Sequence, residues 1–135
     1  MLLAIPLLIL PFAIYNLALT GLLGGGGVAV LETDVMALSM LSGSTWTMSF
    51  GDLLIVIALA LLFLEIIKAT RPGSRALLDH MLSLVLFVVF LVEFLLVPGA
   101  ATQIFFILMT ICFIDVVAGF AVSIRTASRD LSIGL

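Results

Sequence analysis

A chain of 135 residues that is 64% hydrophobic and only 10% charged lacks the polar residues to cover a water-facing surface. That excludes a soluble globular domain and leaves an all-α membrane protein, one integral domain over 1–135, with lipid around its apolar faces. The net charge of −3 and the scattered five Lys/Arg give no electrostatic footprint for nucleic acid, and the lone Cys112 cannot form an intrachain disulfide.

The first apolar run covers 2–23. It has no basic leader and no A-x-A pattern before the glycines, so a retained span is expected rather than a cleaved signal. Pro6 and Pro11 predict a kink within it. "GGGG" at 24–27 breaks the run and opens an outer segment, 24–49, too polar to cross and too apolar for a disordered loop. In that segment "TWTMSF" alternates with period two and "SGS" at 42–44 is a turn signal. The pattern predicts a short β-hairpin, 35–41 against 45–50, with a half-embedded helix over 30–41 as the alternative. Either form belongs at the outer interface, with Trp46 at headgroup depth as an anchor or a partner contact.

Three more runs, 50–68, 76–98 and 103–124, each approach the roughly 20 residues a spanning helix needs. Ser74 is placed to cap the third, and Pro98-Gly99 to end it. The expected fold is a four-transmembrane-helix bundle with a short interfacial segment between helices 1 and 2. All five basic residues (Lys68, Arg71, Arg75, Arg125 and Arg129) lie at one end of the spans, whereas the first connection carries Glu32, Asp34 and Asp52. The positive-inside bias then places both termini in the cytoplasm of a bacterial-type inner or plasma membrane, with 24–49 extracytoplasmic.

Each run carries one seam of small or polar residues. On the fourth, Cys112, Asp115, Gly119 and Ser123 recur at three- and four-residue steps, while Phe106, Phe113 and Phe120 fall on a face suited to lipid. The third aligns Asp79, Ser83 and Glu93, the second Gly51, Ala58 and Glu65, the first Ala13, Asn16 and Thr20. Seams that avoid lipid turn toward each other and make a bundle.

Depth sorts the acids. Glu65 is spaced to pair with Lys68, and Asp79 with Arg75, as interfacial ion pairs. Glu93 sits about 7 Å inside the outer boundary, and Asp115 roughly 15 Å from either end of its helix. An uncompensated carboxylate there costs about 2.5–3.5 kcal/mol. Two readings follow: neutral glue, with Asp115 bonded to Asn16, Thr20 or Tyr15, or a proton- or cation-handling group in a descent Glu93–Asp115–Glu65.

No nucleophile–base pair, metal constellation or cofactor motif is legible, and His80 reads as a headgroup-facing side chain. The expected function is a non-enzymatic structural or accessory subunit, without a cofactor, that offers its outer segment and its Asp115 seam to another membrane protein or to itself. The alternative is a minimal proton- or cation-conducting homo-oligomer using Asp115 and Glu93.

Overall fold

Proline falls only at the ends of the three later apolar runs, and each becomes one unbroken helix in the computed structural model. The structure describes residues 5–71 and 74–134, with the side chains of 74–76, 123 and 126–134 outside the description. In chain order the elements are α1 (Ile9–Leu19), β1 (Asp34–Ser39), β2 (Thr45–Ser49), α2 (Phe50–Ala69), α3 (Ser74–Leu96) and α4 (Gln103–Gly134). Short 3-10 turns cover Val28–Glu32 and Pro98–Ala100. Three helical stretches, Phe50–Ala69, Leu77–Leu96 and Gln103–Val122, are long and apolar enough to cross a bilayer.

The first run is helical over less of its length than its hydropathy suggests. Its helix has 11 residues, about 16 Å by helix rise and short of the roughly 30 Å hydrocarbon core. The expected proline kink is absent, because both prolines sit at the helix start. The Pro6 carbonyl accepts from the Ile9 N–H at 3.2 Å, and Pro11 lies in the first turn, where a missing N–H costs no intrahelical bond. The buried face also differs. Leu8, Pro11, Tyr15 and Ala18 turn inward, whereas Ala13 and Thr20 of the expected seam are exposed. Tyr15 brings a large ring with hydrogen-bond partners, and it outweighs the smaller polar residues.

After α1 the backbone turns through glycines that only glycine tolerates. Gly24 to Gly27 all have φ between 71° and 94°. A Cβ on Gly25 would also stand 2.9 Å from Val30 Cβ. The hairpin follows, and the alternative helix over 30–41 does not form. β1 and β2 pair antiparallel from Ser39↔Thr45 to Asp34↔Ser49, with an irregularity between Asp34 and Met36. β2 then runs directly into α2 through a capping box: Ser49 Oγ accepts from the Asp52 N–H, and Asp52 Oδ2 from the Ser49 N–H, both at 3.1 Å.

α4 is the hub. It makes most of the helix–helix contacts, with α2 on one side and α3 on the other, while α2 and α3 barely meet. α2 turns Gly51, Leu54, Ala58, Leu62, Glu65 and Ala69 inward, a heptad-like stripe that contains the expected seam. α4 extends past the expected end at 124 to Gly134, about 15 Å further by helix rise. No proline or glycine interrupts it there. The aromatic core joins α1, α3 and α4, with ring centroids 4.8 Å apart for Phe12–Phe90, 5.0 Å for Tyr15–Phe105 and 5.3 Å for Phe90–Phe105.

The glycine loop gives a direct check. Gly25→Ala and Gly26→Ala both force a side chain into the left-handed region, but only the former also strikes Val30. Gly25→Ala should therefore lower the thermal unfolding midpoint more than Gly26→Ala. Equal midpoints would contradict the loop geometry.

Candidate functional site

The buried charges gather at the end of the bundle where α2 stops and α3 begins. Glu65 and Lys68 share one turn of α2, and Lys68 Nζ lies 2.9 Å from Glu65 Oε1. The same ammonium reaches across to Asp79 Oδ1 of α3 at 3.4 Å and donates to the Ile5 carbonyl at 2.9 Å. Glu65 Oε1 in turn accepts the Leu7 N–H at 2.8 Å. Lys68 thus ties together α2, α3 and the strand of chain leading into α1. Asp79 pairs with Lys68 here, and the Arg75 side chain, its expected partner, lies outside the described residues. Both acids are sealed from the surface, Glu65 at 2% exposure and Asp79 at 4%.

Asp115 belongs to this same cluster. It is 4% exposed, its carboxyl is hydrogen-bonded by the Ser83 side chain, and Glu65, Asp79 and Lys68 all act on it electrostatically. Asp115 is about 18 Å along α4 from Gln103, and the electrostatic influence of Glu65, Asp79 and Lys68 groups it with the Lys68 end of the bundle. A cation therefore does reach its depth. The partners expected for it are engaged elsewhere: Asn16 and Tyr15 at the opposite end, and Thr20 with the Leu17 carbonyl. One oxygen, Asp115 Oδ2, is buried with no hydrogen-bond partner among the described residues.

One turn beyond Asp115, Gly119 opens space for a side chain rather than for a close backbone crossing. A Cβ there would collide with the His80 ring. His80 is 6% exposed and stacks on Phe120, with ring centroids 5.6 Å apart. It does not face the headgroups, and Phe120 does not join the outward Phe106 and Phe113. An imidazole with an aromatic face beside it gains more from that contact than from the interface. The Ser123 side chain lies outside the described residues.

Glu93 stands in a second, separate cluster. Asn16 Nδ2 donates to Glu93 Oε2 at 3.2 Å and to the Phe12 carbonyl at 2.9 Å. Beside it Tyr15 donates to the Gly99 carbonyl at 2.8 Å, and its oxygen lies 2.6 Å from Thr102 Oγ1. Between the clusters stand Leu86, Phe90, Phe105 and Leu108, all buried. A continuous descent Glu93–Asp115–Glu65 is therefore interrupted by an apolar layer within the chain. Trp46 stands apart from both clusters, on β2 of the hairpin and 42% exposed.

Chemically, the Lys68 cluster holds three carboxyls and one ammonium, an arrangement that can bind a positive charge or tie helices together. Among the described residues no group of three His, Cys, Asp or Glu is placed to hold a metal ion. The Glu65–Lys68 pairing is legible from i,i+3 spacing. Asp79–Lys68, Ser83–Asp115 and Tyr15–Thr102 are not, because they depend on how helices far apart in sequence meet. Comparison of the chain with protein-family models, curated proteins and solved structures finds no match.

Substitutions at the cluster separate its elements. Asp115→Asn keeps a group able to bond Ser83 and removes one surplus carboxylate, so stability should hold or rise. Asp115→Leu should cost about 0.6–2 kcal/mol through the lost intramembrane bond. Gly119→Leu, which drives a side chain into the His80 ring, should cost about 1–3 kcal/mol. An unfolding series in which Asn is as damaging as Leu would contradict this geometry.

Proposed function

We propose that the protein is a small non-enzymatic accessory or structural subunit of a bacterial-type inner or plasma membrane. In this reading it is a four-span bundle with both termini cytoplasmic, bound to another membrane protein or to further copies of itself. The observation that carries the proposal is the inward turn of the polar groups. Lys68, Glu65, Asp79 and Asp115 face one another, Asn16 and Glu93 face one another, and Phe90 and Phe105 seal the space between. A chain built this way keeps its charges for its own cohesion and presents lipid or a partner with apolar helix faces, such as Val56 and Phe63 of α2 and Val85 and Val92 of α3.

Two further observations support the four-span arrangement. Residues 5 and 7 meet Lys68 and Glu65 at one end of the bundle, and Tyr15 meets Gly99 and Thr102 at the other. The first segment thus makes contacts at both ends of the bundle, its short helix preceded by turn residues. The one-sided basic residues support the placement of both termini in the cytoplasm.

A second reading, a proton- or cation-conducting homo-oligomer, is favoured by one observation: Asp115 Oδ2, which has no hydrogen-bond partner among the described residues, shares its cluster with two further carboxyls and one lysine. In an oligomer the pathway would run between chains. Extraction from native membranes into polymer-bounded discs, paired with a flux assay on the purified chain in liposomes, decides between the two. The accessory reading predicts a membrane protein, or further copies, recovered at fixed stoichiometry, and no flux from the purified chain in liposomes. Proton or cation flux that disappears in a folded Asp115→Asn variant would overturn it.

A further inference from the structure

The hairpin has two chemically different faces, and its pairing register assigns them. Residues directly opposite in an antiparallel pair project to the same side, and so do residues two apart. Met36↔Met48 and Leu38↔Trp46 therefore share one face, which is entirely apolar. Ala37↔Thr47 and Ser39↔Thr45 share the other, which is small and hydroxylated. The bundle does not cover the apolar face, since Met36 is 47% exposed and Leu38 49%. Leu41, at the tip, is fully exposed.

The position of the hairpin is also constrained. β2 passes into α2 with no linker, through the Ser49–Asp52 capping box, and the Phe50 N–H donates to the Thr33 carbonyl at 2.8 Å. The ribbon therefore begins at the depth where a spanning helix begins. No Asp, Glu, Lys or Arg occurs between Val35 and Gly51. Two opposed requirements then fix its level. The apolar face is driven out of water, and both edges of the two-stranded ribbon carry open N–H and C=O groups that hydrocarbon cannot satisfy. Only the headgroup–acyl boundary meets both.

We propose that the hairpin is a membrane-surface anchor, lying in that boundary with Met36, Leu38, Trp46 and Met48 against the acyl chains and Ser39, Thr45 and Thr47 toward water. Its occupant is the lipid of the leaflet at which α2 starts. The acidic residues at its base, Asp34 and Asp52, direct it to zwitterionic rather than anionic headgroups. This anchoring is independent of the partner proposed above.

Trp46 is the single tryptophan of the chain, so its fluorescence reports on this face alone. The purified protein is placed in zwitterionic nanodiscs whose lipids carry bromine either near the headgroup or near the bilayer centre. Trp46 should emit at blue-shifted wavelength, lose most of its intensity to the shallow bromines, lose little to the deep ones, and resist aqueous acrylamide. The Trp46→Phe/Thr47→Trp variant moves the reporter to the other face, and it should emit as in water and quench with acrylamide. Water-like emission from Trp46 would overturn the proposal. So would blue-shifted emission that no bromolipid quenches, which would mean that protein covers the face.

Discussion

The Lys68 ammonium is the contact on which the arrangement of the helices depends. It lies within 3.4 Å of carboxylates on two different helices and holds the Ile5 carbonyl as well. Two acidic side chains at 2% and 4% exposure call for a cation beside them, because taking a charge out of water uncompensated costs several kcal/mol. Lys68 supplies that compensation from one turn below Glu65, with its own side chain 11% exposed. The same contact brings α2 and α3 together where their packing alone does not, since each leans on α4 rather than on the other.

From that end the rest of the bundle follows. With α2 and α3 tied below, Asp115 of α4 faces the space between them and finds Ser83. Gly119 leaves room for the His80 ring, and Phe120 covers it. Above, aromatic side chains from α1, α3 and α4 fill the middle, and Tyr15 and Asn16 bind the loop after α3 and Glu93. Charged and apolar layers alternate through the bundle. Such layering spends the polar side chains on cohesion between helices and leaves apolar side chains on the outward faces.

Much of this architecture is legible in the sequence. Three of the four apolar runs become helices of spanning length, and the period-two stretch around Trp46 becomes a strand, because length and alternation are properties of a segment by itself. The extent of α1 is not legible, since a hydropathy average runs straight through Pro6 and Pro11 and misses that they define a helix start. Nor is the face α1 buries, which is decided by Tyr15 reaching Gly99 and Thr102, far away in sequence. At the site, the spacing of Glu65 and Lys68 announces a pair, but nothing local indicates that Asp79 and Asp115 converge on it. Depth counted along a single helix also isolates Asp115, because nothing within α4 shows that the Lys68 side chain of α2 comes close enough to act on it.

The charge balance around Lys68 tests this account most directly. Lys68→Met removes the cation and leaves Glu65 and Asp79 buried together, which should cost about 3–5 kcal/mol of unfolding free energy. The triple variant Lys68→Met/Glu65→Gln/Asp79→Asn removes the acids' charge with it, and it should regain most of that loss while keeping the helices in place. A Lys68→Met protein as stable as the parent, or a triple variant no more stable than Lys68→Met, would contradict the claim that one buried ammonium organises the bundle.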